Sequence, residues 1–532
     1  MSESIDMTDF DSRSRQRKKS SPQERLLSES SDDHKSHHSW RDLKGDYGNI
    51  AVLYFLYVLQ GIPIGLAGSV PMILQNRGVS YKEQAEYSFV NWPFSIKLLW
   101  APIVDSVFCK RIGRRKTWLI PVQYLLGLAM MTYAYFVDEH LGEAPASHPK
   151  VGTLTMMFFG LNFLAATQDI AVDGWALTML KRENVGFAST CNTAGQTTGY
   201  FLGSVVFMAL ESAEFCNSYI RSVPEPNGLL KLSDFLFIWG IIFLVTTTLV
   251  GILKHEKDGS ELPAGEMHEE GVLDTYFTLW KILKLPIVRI TAIFLLTSKI
   301  GFAATDAITG LKLIGKGVPK ESLAMLAVPL VPLQIILPVM ISKYTAGPKP
   351  MEVLLKAMPM RLMFGFVFAF VVWVTPWFEV SKGTFAWYYY ALLLAVYMMH
   401  QVTLYSMYVA LMAFFAKVSD PKVGGTYMTL MNTLTNLGGN WPATLMLWIV
   451  DNLTLKACMS PANGERIDPV TCYEPDANEQ CLGLGGRCEV TLDGYYIETA
   501  ICVVIGFLWL QGWGRRTAKT LQNLPLKSWK VR

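Results

Sequence analysis

Apolar residues fall into long runs separated by short polar stretches, near 50–74, 86–106, 117–137, 151–176, 185–210, 233–253, 286–311, 322–343, 357–377, 385–414, 424–450 and 495–513. A run of about 18–25 such residues is long enough to cross a hydrocarbon core as a helix, and a helix satisfies its own backbone there. The pattern predicts about twelve spanning helices. Residues 1–45 lack this pattern, are rich in Ser, Asp, Arg and Lys, and read as a disordered tail. No cleavable signal peptide precedes the first run, which leaves that helix as the targeting signal.

Composition agrees with a polytopic membrane protein. Of 532 residues, 51% are hydrophobic and only 17% charged, too apolar a balance for an ordinary soluble enzyme. The net charge of +3 matters less than its placement. Arg13, Arg15, Arg17, Lys18, Lys19 and Arg25 lie in the tail, and Lys110, Arg111, Arg114, Arg115 and Lys116 between the second and third runs. Lys181, Arg182, Lys254, Lys257, Lys343, Lys349, Lys417, Lys422, Arg515 and Arg516 fall in loops of the same parity. The positive-inside rule then predicts that both termini and these loops are cytosolic.

The cysteines provide an independent reading. Cys458, Cys472, Cys481 and Cys488 crowd into one polar loop, 451–494, on the predicted non-cytosolic side. Such crowding predicts two disulfides of undetermined pairing in an oxidising compartment. A zinc site is the alternative, weakened by the absence of a histidine or a CxxC.

The runs also repeat. Asn192-Thr193, Gln196 and Gly199 in the fifth recur with the same spacing as Asn432-Thr433, Asn436 and Gly439 in the eleventh. Gln168 in the fourth matches His400-Gln401 in the tenth, and Pro93, Lys97 and Pro102 in the second match Pro332, Gln334 and Pro338 in the eighth. Several matches in register predict an all-α membrane protein of two six-helix halves, with a site between them. The expected division is an N-terminal half at 46–254, a linker at 255–284, a C-terminal half at 285–514 and a tail at 515–532.

Several polar residues interrupt the runs. Asp169 and Asp173 share one face of the fourth predicted helix, four residues apart. A carboxylate at bilayer depth costs about 2.5–3.5 kcal/mol, so the pair should face the bundle interior. It can belong to a pathway, pair with a neighbouring lysine or cap a broken helix. Lys97, mid-helix between Pro93 and Pro102, needs an anion, which can be cargo or this acidic pair. Lys299 and Asp306 lie two turns apart and can bind each other or neighbours. Buried amides at Asn192, Gln196, Asn432, Asn436 and Asn440 need partners. His400, Gln401, Tyr405 and Tyr408 form a stripe on the tenth run, where His400 can be a packing residue or a titrating one. No P-loop, zinc-protease motif or nucleophile elbow supports catalysis.

Four stretches carry a family resemblance: Leu-Gln60-Gly-Ile-Pro-Ile-Gly-Leu-Ala-Gly-Ser, Trp92-Pro-Phe-Ser-Ile-Lys97-Leu-Leu-Trp-Ala-Pro-Ile-Val-Asp105, Ala-Thr-Gln168-Asp-Ile-Ala-Val-Asp173-Gly-Trp and Gly425-Thr-Tyr-Met-Thr-Leu-Met-Asn432. From about residue 50 almost to the C-terminus the chain resembles the acetyl-coenzyme A transporters of the endoplasmic-reticulum membrane, within the major facilitator superfamily. The second and third stretches also resemble bacterial muropeptide permeases. The resemblance implies movement of acetyl-coenzyme A from cytosol to lumen for luminal acetylation, in an endoplasmic-reticulum membrane, without a cofactor or nucleic acid. A homodimer is compatible with it.

Such a cargo needs cations and amides for phosphate, an aromatic face for the base and a slot for the arm. The candidate substrate contacts are Gln60, Lys97, Asn192, Gln196, Lys299, His400, Gln401, Tyr405, Asn432, Asn436, Asn440 and Trp441. The candidate coupling or gating residues are Asp105, Arg114, Arg115, Gln168, Asp169, Asp173 and Asp306. The competing readings are transport of another anionic metabolite, such as a thiol peptide or a muropeptide-like molecule, and a membrane acyltransferase or scaffold that transports nothing.

Overall fold

The computed structural model describes residues 45–109, 111–142, 148–180, 187–256, 271–345, 349–381, 383–419, 424–460, 466–472 and 477–530. Residues 1–44 of the expected tail, Lys110, Lys181, Arg182, Lys257 with the rest of 257–270 in the linker, and Lys422 lie outside these residues.

Among the described residues, eight helices are long and apolar enough to cross a membrane, including Tyr47–Asn76, Val151–Ala176, Leu232–Leu253, Met351–Phe378 and Trp387–Val418. The remaining expected spans are present but broken, shorter or more polar. The second is divided into Tyr81–Ser88, Trp92–Ile96 and Ala101–Ser106, joined by tight turns at Phe89–Asn91 and Lys97–Leu99. Pro93 and Pro102 stand at the starts of the second and third pieces, where a missing N–H costs nothing because the first turn of a helix has no acceptor for it. Lys97 is therefore not mid-helix, as the sequence suggested, but at a break. The third span is Lys116–Ala134. The fifth runs from Phe187 through a π-turn at Leu202–Val206 to Glu211 and then bends by 81° into Ala213–Tyr219. The eleventh is Gly424–Leu453.

Each half has its own apolar core. Leu59, Leu66, Phe158, Phe207 and Phe243 meet in the first half, and Phe294, Leu354, Met358, Phe414 and Tyr427 in the second. Glycines set the closest approaches. A Cβ on Gly61 of the first span would lie 2.5 Å from the Gln196 carbonyl oxygen and 2.7 Å from Gly199 Cα. In the second half Gly438 of the eleventh span abuts the Leu295 backbone of the seventh, and Gly439 faces Lys299. The same helix pairing thus occurs in both halves, at the positions where the sequence repeat places Gly199 and Gly439. We predict that Gly61→Val separates the first and fifth spans. Overpacking costs about 1–3 kcal/mol, so the melting temperature and abundance should fall while Gly310→Ala, with open space around it, changes neither.

Two small sheets and two disulfides mark one face. Strands β1 (Glu379–Ser381) and β2 (Thr384–Phe385) form a hairpin between the ninth and tenth spans. Between the eleventh and twelfth, β3 (Leu455–Met459), β4 (Arg466–Thr471) and β5 (Arg487–Leu492) form an antiparallel sheet in the order β4-β3-β5. Cys458 bonds to Cys481 and Cys472 to Cys488. Disulfides, rather than zinc, use all four cysteines. We call this the disulfide face and the opposite one, with residues 107–109 and 111–115, the basic-loop face.

On the basic-loop face, Arg115 Nη1 is 2.5 Å from Asp105 Oδ1, and Arg114 Nε donates to the Asp105 carbonyl at 2.8 Å. Glu256 accepts from the backbone N–H groups of Arg115 and Lys116, an anion at the start of the third span. The linker is not all loop. Val272–Lys284 is a helix that buries Leu279 and Ile282 and exposes Leu273, Phe277 and Trp280, and its Tyr276 hydroxyl donates to the Leu99 carbonyl at the broken second span.

Candidate functional site

The acidic pair of the fourth span lies inside the first half. Asp169 is 4% exposed. It forms an ion pair with Lys97 and accepts from Gln60 Nε2 at 2.5 Å and Gln196 Nε2 at 3.3 Å. Asp173, one turn on, is exposed and accepts from the Tyr57 hydroxyl at 2.7 Å and Asn192 Nδ2 at 3.0 Å. Gln168 is fully buried, donates to the Leu56 carbonyl at 3.2 Å, and has a side-chain oxygen with no partner among the described residues. The second span delivers Lys97 here because its helix breaks at that residue, and the tight first–fifth contact brings Gln60 and Gln196 to the same carboxylate. Tyr57 is a partner that sequence reasoning missed; one turn before Gln60, it shares that residue's helix face.

The second half carries a different charge pattern. Lys299 stands at the break between helices Pro286–Thr297 and Ala303–Gly315, and its ammonium donates to the Thr435 carbonyl at 2.9 Å. Asp306 does not bind Lys299. It pairs with Arg361 of the ninth span at 2.6 Å and lies 3.9 Å from His400 Nε2. The Arg361 guanidinium stacks 4.3 Å from the Phe302 ring centroid, and His400 meets Phe364 and Phe368 edge-on. Arg361 was also missed, although a lone arginine within the apolar run 357–377 was readable as a signal.

The other candidates divide. Asn436 is exposed, Gln401 and Tyr405 are half-buried, and the Asn432 side-chain oxygen is buried without a partner among the described residues. Tyr408 of the tenth span is exposed. The Trp441 indole donates to the Leu296 carbonyl at 2.9 Å, filling an acceptor freed where the seventh span breaks. Asn440 instead bridges the halves, donating to Ser95 Oγ at 2.7 Å and the Asn91 carbonyl at 3.2 Å.

Asn440 belongs to a seam toward the disulfide face. Ser88 and Thr444 hydroxyls are 2.7 Å apart, the Tyr81 N–H donates to Asp451 at 3.1 Å, and Lys312, 2.7 Å from Asp493, lies 4.6 Å from the Tyr81 ring centroid. Lys320 of the eighth span reaches Glu211 of the fifth at 2.6 Å. The two halves are thus joined by hydrogen bonds and ion pairs beyond the site on that side.

Comparison with known proteins identifies the fold and the family. A bacterial homolog of the human lysosomal transporter Spinster, inward-facing and unoccupied, superposes with a TM-score of 0.53 over 90% of this chain and 97% of its own, at 13% identity. A D-xylose-proton symporter does so with a TM-score of 0.52 over 91% and 100%, at 11% identity. These likenesses show the fold of the major facilitator superfamily. An uncharacterized membrane protein of Saccharomyces cerevisiae is 31% identical over 92% of this chain and 98% of its own, and an uncharacterized protein of Schizosaccharomyces pombe is 33% identical over 91% and 89%. A candidate transporter, AmpG 4, of Rickettsia felis is 25% identical over 48% of this chain and 57% of its own. The profile described as "Acetyl-coenzyme A transporter 1" matches residues 49–272 and 264–531, and the chain therefore belongs to the acetyl-coenzyme A transporter family.

Proposed function

We propose that this chain is a secondary transporter that carries acetyl-coenzyme A from the cytosol into the lumen of the endoplasmic reticulum by alternating access, and that it is not an enzyme. The observation that carries the reading is the family match over almost all of the transmembrane chain, joined to a polar site between two half-bundles. Loop charge supports a cytosolic basic-loop face and cytosolic termini, and the disulfides support a luminal face for Cys458–Cys481 and Cys472–Cys488.

In this reading Gln60, Lys97, Asn192, Gln196, Lys299, His400, Gln401, Tyr405, Asn432 and Asn436 surround the cargo. Asp169, Asp173 and Asp306 hold the cations between transport cycles, and Asp105, Arg114 and Arg115 steady the basic-loop face. Asn440 sits in the seam and Trp441 braces the seventh span, so both act on cargo through the helices they hold. The halves at 46–254 and 285–514 rock about the site.

Purified protein in liposomes, offered labelled acetyl-coenzyme A, is expected to accumulate label, faster with coenzyme A inside if the cycle is an exchange. Absence of uptake with and without internal coenzyme A, by protein that still takes up a muropeptide or a thiol peptide, would move the cargo to the AmpG-like class.

A further inference from the structure

We infer that the C-terminal half holds the phosphate end of the cargo, on Lys299 and Arg361, while the N-terminal half holds a phosphate-free part. The inference rests on the transport reading for the identity of the cargo, but the anion site itself follows from charge and geometry.

The halves are electrically unlike. In the first, two carboxylates, Asp169 and Asp173, accompany one ammonium, Lys97, which already pairs with Asp169, while Asp173 takes the Tyr57 hydroxyl. In the second, two cations share one carboxylate. Arg361 takes Asp306, while Lys299 has only the Thr435 carbonyl and no carboxylate at ion-pair distance among the described residues. Arg361 stacks on Phe302, at the end of the turn that begins just after Lys299, which brings the two cations to the same break in the seventh span. An anion is therefore repelled by the first cluster and attracted by the second.

One further feature of the second cluster points to a ligand. Arg361 is only 7% exposed, yet its Nε has no acceptor among the described residues, and a buried guanidinium donor without an acceptor is costly. The seventh span turns beside Lys299 through Ile300–Phe302, where the Phe302 and Ala303 N–H groups are taken by the Lys299 and Ile300 carbonyls, so the donors left for a ligand are those of the side chains. A pyrophosphate offers oxygens for the Lys299 ammonium and the Arg361 fork together, and Arg suits it by its paired donors.

The test is calorimetric titration of the purified full chain with inorganic pyrophosphate, acetyl-coenzyme A and the phosphate-free acetylpantetheine. Lys299→Gln keeps a donor for the Thr435 carbonyl and removes the charge. It should weaken pyrophosphate and acetyl-coenzyme A at least about tenfold, as loss of a charged hydrogen bond does, and leave acetylpantetheine unchanged. Arg361→Gln alone strands Asp306, so the folding-safe partner is Arg361→Gln with Asp306→Asn, with the same expected pattern. Unchanged pyrophosphate affinity in Lys299→Gln overturns the assignment, as does an equal loss of acetylpantetheine in both variants. Lys299-dependent pyrophosphate binding without any acetyl-coenzyme A binding supports the anion site and instead removes the proposed cargo.

Discussion

Uptake should fall to the background of empty liposomes when Ser88→Cys and Thr444→Cys are combined and oxidised, and return on mild reduction. The two hydroxyls are 2.7 Å apart across the seam between halves, so the paired cysteines should bridge without moving either helix far. The contact lies between the second and eleventh spans, flanked by Asn440–Ser95 on one side and Tyr81–Asp451 on the other. Alternating access requires this face to part. Each single variant should transport almost normally, since losing one hydrogen bond costs about 0.5–1.5 kcal/mol. A fully cross-linked protein that still transports would show that the halves do not separate here.

Asp169→Ala should produce the largest loss of stability of any single change in the site. It leaves the Lys97 ammonium and the Gln60 and Gln196 amides facing a void. Removing one partner of a buried ion pair costs about 3–5 kcal/mol, because the remaining charge stays buried without compensation. Asp173→Asn should cost less, since Asp173 is exposed and an amide oxygen still accepts from Tyr57. Adding Lys97→Met to Asp169→Ala should recover much of the melting temperature. Transport by that double variant then separates two roles: restored uptake means that the pair only holds the helices, and continued failure means that cargo or coupling needs the charges.

The two-half plan was legible in the sequence because it rests on features that need no tertiary information. Apolar run lengths, loop charge and the Asn–Gln–Gly spacing of the fifth and eleventh spans are all local. The identity of partners was not. Lys299 and Asp306 seemed able to meet while their helix was taken as continuous, but the turn at Ile300–Phe302 interrupts the α-helix between them and each finds a partner from another span. For Lys97 the sequence left two anions open, cargo or the acidic pair, and the structure places its ammonium on Asp169. The repeat also overstated likeness of environment. Asn192 bonds Asp173, whereas the tenth span offers Gln401 and Tyr405 at the same spacing as Asp169 and Asp173, so Asn432 meets no matching carboxylate. Helix register repeats between the halves; charge does not.

The sheet on the disulfide face has a mechanical consequence. β3 begins two residues after the eleventh span ends at Leu453, and β5 ends two residues before the twelfth begins at Gly494. The two strands pair from Leu455 opposite Leu492 to Met459 opposite Arg487, and Cys458–Cys481 and Cys472–Cys488 cross-link the excursion. The long connection is therefore a yoke rather than slack. Force applied to the eleventh span at its seam with the second is passed directly to the twelfth, so these two helices swing as one lever. Cutting the polypeptide within 461–465 would leave the lever covalently whole through Cys458–Cys481, and reduction would then leave it held by strand pairing alone.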